Sequence, residues 1–235
     1  MGRAFEYRKA RKFARWDKMA KAFTRIGKDI AIAVKSGGPD PATNPRLRIA
    51  IQNAKGANMP KDRVESAIKR ASSKEEKDYQ ELVYEGYGPY GVAIVIECAT
   101  DNPVRTVANI RHYFTKAGGS LGTSGSLDFM FERKGVFKIP AEGINLEELE
   151  LELIDFGAED IEEENGIITV YTSFSDFGPM QKALDEQAIH VSSSDLQRLP
   201  LTTKELSEEE EEEILTLIDK IEQDEDVQQI FHNLA

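Results

Sequence analysis

The sequence predicts an α+β protein in which an N-terminal helical domain is followed by two α/β domains, one inserted in the other. Three observations lead to this prediction. Apolar residues recur every three or four positions over residues 5–35, the period of an amphipathic helix. The continuous β-branched run Gly91–Cys98 then marks a change to strand structure. Residues 135–195 finally show a strand and helix order of βαββαβ.

Local signals delimit the helices of the first domain. The first helix ends at Ser36–Pro39, a run of small residues and proline that cannot continue a helix. Asn44 and Pro45 supply an N-cap and a first-turn proline for a second helix, which we expect Gly56 to end. Pro60 opens a third helix.

Strands and helices alternate through the rest of the chain. The predicted strands are 91–98, 127–131, 135–140, 159–163, 166–172, 189–195, 196–199 and 227–231, and the predicted helices are 102–116, 146–156, 175–188 and 207–222. Segment 135–195 has the order of a ferredoxin-like split βαβ unit. The elements on either side of it form a second set of this kind, which gives helix 207–222 a sheet to cover. The predicted domains are residues 1–76, residues 77–133 with 196–235, and the inserted residues 134–195.

Composition excludes several classes of protein. Cys98 is the only cysteine, which rules out an intramolecular disulfide and fits a reducing compartment. The three histidines lie far apart in sequence and do not suggest a zinc site. No apolar run approaches the ~20 residues that span a bilayer. We therefore expect a cytoplasmic protein without metal, cofactor or membrane partner.

Charge is divided unequally along the chain. Residues 1–71 carry 18 lysines and arginines against 6 acids, a net charge of +12, whereas the remaining residues carry 12 against 36, a net charge of −24. Cations on the solvent side of an amphipathic helix can follow a phosphate backbone, and too few acids are present to pair with them. A solvated helix face is the alternative, but this imbalance favours nucleic acid. The predicted nucleic-acid-binding residues are Arg11, Lys12, Arg15, Lys18, Lys21, Arg25, Lys28, Arg46, Arg48, Lys61 and Arg70.

Two further segments allow a structural and a functional interpretation. Helices 45–54 and 60–71 are compatible with a helix-turn-helix, but any helical hairpin has this form, and their side chains suit phosphates better than base edges. The glycine-rich loop 118–126 resembles a phosphate cradle, yet it follows a helix, so a helix C-cap with a flexible connector is favoured. This loop still suits contact with a partner, and its candidate residues are Gly119, Leu121, Gly122 and Thr123.

The tyrosine-rich segment Tyr84–Gly91 is predicted to be a packed β-turn, with a contact patch as the alternative. No sequence typical of a nucleophile elbow is present, so a Ser-His-Asp triad has no support. We expect no enzymatic activity.

Several of these motifs together resemble the YebC/PmpR family, and the resemblance covers nearly the whole chain. The matching segments are Phe23–Ile26, Asn44–Arg48, Asn58–Asp62, Tyr84–Pro89, Ile96–Cys98, Asp101–Asn102, Gly118–Thr123 and Asp226–Asn233. The chain departs from the family at its start, where Gly2–Glu6 replaces the usual Gly-His-Ser-Lys-Trp. The resemblance implies three domains, one inserted in another, and no catalysis.

The resemblance also implies a regulator of gene expression. The family name is that of probable transcriptional regulators that bind DNA. Relatives, including a mitochondrial translational activator, are instead associated with ribosomes, and bacterial members with relief of stalling at proline runs. DNA and ribosomal RNA are both polyphosphates, so charge does not choose between them. A third hypothesis is a protein-interaction module whose acidic surface binds a basic partner. A monomer is favoured.

Overall fold

A computed structural model describes residues 2–73 and 78–235, with side chains described from Lys18 onward. The chain divides into two compact units, Met1–Asp78 and Tyr79–Ala235. The first contains helices, and the second contains two antiparallel four-stranded sheets with their helices. The α+β class is confirmed, and the two sheets are consistent with two α/β domains. The residue boundaries of the three expected domains stay a prediction.

The helical unit consists of α1 (Gly2–Gly37), α2 (Pro45–Gly56) and α3 (Lys61–Ala71). Its core forms where the apolar sides of these helices meet. Ile30 of α1, Leu47 of α2 and Val64 of α3 are all buried. On α1 the apolar period predicted the buried Phe23, Ile30 and Val34, whereas Ala20 is exposed and the side chains of Phe13 and Trp16 lie outside the described residues.

Asn44 joins α1 to α2 and explains why the chain turns where it does. Its Oδ1 accepts a hydrogen bond from the Leu47 N–H at 3.1 Å, as an N-cap does. Its Nδ2 donates to the carbonyls of Ala33 at 2.7 Å and Gly38 at 2.8 Å. A Cβ on Gly37 would lie 2.7 Å from Nδ2, so only glycine fits beside this amide.

Asn58 is the residue that ends α2, and the expectation that Gly56 breaks this helix was incomplete. The Asn58 N–H donates to the Lys55 carbonyl and the Met59 N–H donates to the Ala54 carbonyl, which is the hydrogen-bond pattern of a Schellman motif. Asn58 takes a φ of +57° at the position where this motif needs the left-handed region. Gly56 is still helical.

The second unit has a larger set of elements. In chain order these are β1 (Gln80–Tyr87), β2 (Ala93–Thr100), α4 (Pro103–Lys116), β3 (Ser120–Leu121), β4 (Phe131–Pro140), α5 (Leu146–Ile154), β5 (Ala158–Glu164), β6 (Ile167–Ser173), α6 (Phe177–Glu186), β7 (Ser193–Pro200), α7 (Glu208–Glu222) and β8 (Val227–His232).

The sheet built from the two ends of this unit has the strand order β3-β1-β2-β8. Helices α4 and α7 cover one face, where Ile94 and Ile96 pack against Phe114 and Ile218. A capping box at Ser207 and Glu210 starts α7, as the sequence predicts.

The other sheet has the order β5-β6-β4-β7, with every pair antiparallel. Its elements follow the chain as β4-α5-β5-β6-α6-β7, which is the predicted ferredoxin-like string. Asn165 and Gly166 connect β5 to β6 with φ angles of +53° and +78°, as a tight type I′ hairpin requires.

Several predicted strands were misplaced. The strand expected at 127–131 is a turn with one 3₁₀ segment at Asp128–Met130, and β4 then runs without a break to Pro140. The strands expected at 189–195 and 196–199 form the single strand β7. The terminal part of the unit therefore does not contribute its own strand near 196, and the surrounding set is not a second βαββαβ string.

Strand β1 was missed because its glycines suggested a turn. Tyr84–Tyr87 belongs to β1, and only the residues that follow turn the chain toward β2. Gly86 is glycine because a Cβ there would lie 2.6 Å from the Ser120 carbonyl oxygen of β3. Close approach of a neighbouring strand, rather than a turn, explains this residue.

Candidate nucleic-acid interface

The described part of the helical unit keeps the positive charge that the sequence indicates. Residues 18–73 contain 12 lysines and arginines and 4 acids. Most of these cations are exposed, whereas the buried residues of the unit are apolar apart from Lys28 and Asn44. The exposed cations are Lys18, Lys35, Arg46, Arg48, Lys55, Lys61, Arg63, Lys69 and Arg70.

The predicted site residues fall into three groups. Lys18, Arg46, Arg48, Lys61 and Arg70 are exposed, while Lys21 and Arg25 are half-buried on α1. Lys28 is buried, with only 9% of its surface exposed, so it does not share the solvent-facing position of the others. The side chains of Arg11, Lys12 and Arg15 lie outside the described residues.

The ion pair of Lys61 is of the weak surface type. The Lys61 ammonium lies 3.6 Å from the Glu65 carboxylate, with 90% of the lysine side chain exposed. An exposed pair of this kind contributes little to stability and is readily exchanged for another anion. The Arg48 guanidinium donates to the Pro41 carbonyl at 3.3 Å. The Lys61 side chain can therefore reach phosphate at small cost.

Arg63 and Lys69 belong to the exposed set but were not among the predicted site residues. The Arg63 guanidinium carbon lies 5.7 Å from the centre of the Phe23 ring, which orients it by a cation–π contact. Lys69 lies on the side of α3 opposite the buried Val64 and Ala67, whereas Arg63, four positions before Ala67, lies beside that buried face. In the helix-turn-helix interpretation both are candidate side chains of the recognition helix, together with Lys61 and Arg70.

Side-chain types on α3 favour backbone contact over base reading. A recognition helix reads bases with its N-terminal residues, and the exposed side chains there include Asp62 and Glu65. Carboxylates at these positions repel phosphates on either side of a groove. The helix-turn-helix interpretation is thus weakened, while contacts to phosphate remain compatible with the structure.

The glycine-rich loop after α4 is held by a buried carboxylate. Glu85 of β1 is only 3% exposed. Its Oε1 accepts from the Gly125 N–H at 2.9 Å, and its Oε2 accepts from the Leu127 N–H at 2.6 Å. The Gly122 N–H donates to the Glu85 main-chain carbonyl at 2.7 Å. The expectation of a flexible connector was therefore wrong, because these hydrogen bonds fix the loop to the sheet.

The predicted contact residues of this loop have different surroundings. Gly118 ends α4 with a φ of +79°, so the predicted C-cap is present. Gly119 permits a close approach to β1, since a Cβ there would lie 2.4 Å from the Tyr87 carbonyl oxygen. Leu121 packs inward against the core under α4 and α7. Gly122 and Thr123 are exposed, so they remain available to a partner.

A cleft of about 470 Å³ lies beside the loop and is lined by Glu85, Ser124, Asp128, Arg133 and Arg198, among others. Arg133 and Arg198 are direct partners across β4 and β7. Arg198 Nε lies 3.0 Å from Glu97 Oε1, and its Nη1 lies 3.6 Å from Asp128 Oδ1. These carboxylates offset the repulsion between the two guanidinium groups, so the cleft lacks the excess positive charge of the helical unit.

Titratable groups of the second unit are perturbed by burial and by neighbouring carboxylates. Burial raises the pKa of Asp195, and the hydrogen bond from the Tyr90 hydroxyl to Glu213 raises the pKa of Tyr90. In the described part of the chain, none of the three histidines hydrogen-bonds to a hydroxyl or thiol.

Neither a metal-binding cluster nor a membrane-spanning helix is found among the residues that the structure describes. Among the side chains that the structure describes, those of residues 18–73 and 78–235, no group of three or more histidine, cysteine, aspartate or glutamate residues is arranged to hold a metal ion. No helix in the same ranges has the length and apolar character needed to cross a membrane.

Comparison with known families decides the relationship. The N-terminal domain of the TACO1/YebC protein matches residues 3–74, and the TACO1/YebC second and third domains match residues 79–234. The chain belongs to the TACO1/YebC family. The junction between the two matches lies beside the division between the two compact units, at Asp78 and Tyr79.

Individual relatives extend over the whole chain. A probable transcriptional regulatory protein of Cytophaga hutchinsonii is 59% identical over 235 residues, covering 100% of this chain and 99% of that protein. One of the same name from Parabacteroides distasonis is 56% identical, covering 100% and 97%. A crystal structure of a conserved hypothetical protein from Aquifex aeolicus matches with a TM-score of 0.80 at 37% identity, covering 92% of this chain and 90% of that one. Sequence similarity to these relatives thus extends over the full length, and the fold of the Aquifex protein matches 92% of the chain.

Proposed function

We propose that this TACO1/YebC protein is a non-catalytic nucleic-acid-binding regulator of gene expression whose helical unit binds the phosphate backbone. The observation that carries the proposal is the set of exposed cations on α1 to α3, in a unit with few acids. Its relatives bear the name of probable transcriptional regulatory proteins, which supports DNA as the polymer.

The division of charge also orients the protein on its ligand. The second unit, with 33 acids against 10 lysines and arginines over residues 79–235, is repelled by a polyanion as a whole. Only uncharged segments of it approach the backbone closely, and the exposed part of the Glu85-held loop, Gly122–Gly125, is such a segment. Nucleic acid is therefore held by the helical unit and reaches the second unit at few points.

Exposed cations on α2 and α3 provide the test. The fourfold variant R46Q/K61Q/K69Q/R70Q removes charge without touching the buried core. Binding to a DNA duplex, measured by fluorescence anisotropy over a range of salt concentrations, should weaken by at least tenfold at low salt. The slope of log K against log salt should become shallower by about 0.9 for each phosphate that the variant no longer neutralises.

The second unit offers a matched control with the same change in charge. Arg111, Lys116, Lys182 and Lys220 are exposed cations of α4, α6 and α7. The variant R111Q/K116Q/K182Q/K220Q should bind like the wild type. Equal weakening in the two variants would mean that net charge alone governs binding, and the helical unit would not be the site.

A structured RNA of the same length tests the alternative polymer. One outcome is that the protein binds RNA more tightly than DNA at equal salt and that the variant R46Q/K61Q/K69Q/R70Q loses that binding. This pair of results would favour the ribosome-associated translation factor over a DNA-binding regulator. Tighter binding to DNA would agree with the name that the relatives carry.

A further inference from the structure

The outward face of α5 combines exposed apolar side chains with a complete absence of positive charge. Leu151 is 73% exposed and Ile154 is 60% exposed. They are three positions apart on one helix and therefore lie side by side. Phe156, which is 37% exposed, follows directly, and its N–H donates to the Leu153 carbonyl, which keeps it against the end of the helix. Single exposed apolar residues are ordinary on a protein surface, but adjacent ones form a ridge.

The residues that flank this ridge are acidic. Glu147, Glu148 and Asp155 lie three or four positions from Leu151, and Glu150 lies four positions from Ile154. The segment from Ala141 to Asn165 contains 11 acids and no lysine or arginine. Within the described part of the chain, the four flanking carboxylates form no ion pair.

Self-association through this face is opposed by its charge. Two copies meeting ridge to ridge would bring their flanking carboxylates together, and like charges across an interface are repulsive. Nucleic acid is excluded on the same ground. A ligand that covers Leu151 and Ile154 must present apolar groups and carry positive charge around them.

We propose that a lysine- or arginine-rich amphipathic helix of another protein binds to the α5 ridge, which is formed by Leu151 and Ile154, and to the acidic residues that flank it. A helical partner matches the spacing of the two apolar residues, which are one helical turn apart and suit packing of one helix against another. Cations on either side of the partner's apolar stripe meet Glu147, Glu148, Glu150 and Asp155. Charge complementarity sets the encounter rate, and the apolar contact sets the lifetime.

The test uses the full chain and a synthetic peptide as the probe. The peptide is an 18-residue helix with leucines on one face and lysines on the other, labelled for fluorescence anisotropy. Substitution L151Q/I154Q should weaken its binding by about tenfold, since two apolar side chains are removed while the charge is kept. Substitution E147Q/E148Q/E150Q should also weaken binding and should reduce its dependence on salt.

Matched controls distinguish docking from simple attraction between opposite charges. Val104 on α4 and Leu215 on α7 are also exposed apolar residues, and α7 is an acidic helix. The variant V104Q/L215Q should bind the peptide like the wild type. A scrambled peptide of the same composition should bind at least fivefold more weakly than the amphipathic one.

Each of the opposite results would overturn the proposal. These are equal binding of the scrambled peptide, no effect of L151Q/I154Q, or no binding of the amphipathic peptide at low salt. Duplex DNA binding by L151Q/I154Q is measured in parallel and should equal that of the wild type. Loss of DNA binding in that variant would place the α5 ridge in the nucleic-acid site and refute the protein partner. Failure of DNA binding by the wild type would instead count against the proposed function alone.

Discussion

His232 shows how a single half-buried group links stability to pH. Its ring lies on β8 opposite Ile94, and its Nδ1 has no hydrogen-bond partner among the described residues. Burial lowers the pKa of His232 below its ordinary value, because the charged imidazolium loses hydration that nothing replaces. In the unfolded chain the ring gains a proton below about pH 6.5, whereas in the folded protein it resists protonation.

Acidification from pH 7.5 to pH 5.0 should therefore favour the unfolded state through this residue. The wild type should lose more free energy of unfolding over this range than His232→Leu, in which the titrating group is absent. Urea denaturation of both proteins at several pH values measures the difference, since the other titrating groups are common to both. Parallel pH curves for the two proteins would show that His232 does not contribute.

Glu85 and the loop it holds belong to the scale of elements. The carboxylate accepts two main-chain N–H groups of the loop, and a glutamine in its place can accept only one of them and leaves an amide donor unpaired. We expect Glu85→Gln to destabilise the protein by about 2 kcal/mol, because hydrogen bonds to a charged group are removed in a buried place. Hydrogen exchange at Gly125 and Leu127 should accelerate.

Glu81 supplies the control for this change, since it is an exposed glutamate on the same strand. Glu81→Gln should alter neither the stability by more than about 0.5 kcal/mol nor the exchange of the loop amides. Loop amides that exchange at the wild-type rate in Glu85→Gln would mean that contacts other than the carboxylate order the loop.

Helices could be predicted from the sequence more fully than strands, and the difference has a physical cause. Helix ends depend on neighbours in sequence, such as Asn102, whose Oδ1 accepts from the Arg105 N–H, and Ser207 with Glu210. Strand positions depend on distant partners. Gly86 is explained only by Ser120 beside it, and Leu127 is buried under the sheet although it lies in a turn. Neither the position of Ser120 beside Gly86 nor the sheet that covers Leu127 can be inferred from the residues nearby in sequence.

At the scale of the whole molecule, the candidate site was predicted as a charge distribution but not as a set of positions. The contrast between a basic helical segment and an acidic remainder is a property of composition. Helices α1 to α3 form one compact unit, and this unit contains most of the positive charge. Which cations face water depends on packing. Lys28 and the exposed Arg63 look alike in the sequence, and only the fold separates them.

Each compact unit has a buried polar side chain whose hydrogen bonds join two parts of the unit. In the helical unit it is Asn44, between α1 and α2. In the second unit it is Asp226, whose Oδ2 accepts from Arg105 Nη2 at 2.7 Å and from Thr106 Oγ1 at 2.9 Å, which ties the start of α4 to the turn before β8. Both side chains are buried, so truncation of either leaves donors or acceptors without partners.

Unfolding should therefore separate by unit. Asn44→Ala should destabilise the helical unit by about 2–3 kcal/mol, and Asp226→Ala should destabilise the second unit by about 2 kcal/mol. Hydrogen exchange followed by mass spectrometry assigns the effect to a segment. In Asn44→Ala the peptides from residues 18–73 should exchange faster while those from 79–235 keep the wild-type rate, and Asp226→Ala should show the reverse. Units with separate cores open independently, so each variant loosens only the core that it weakens. Faster exchange throughout the chain in both variants would instead mean that the two cores unfold as one cooperative structure.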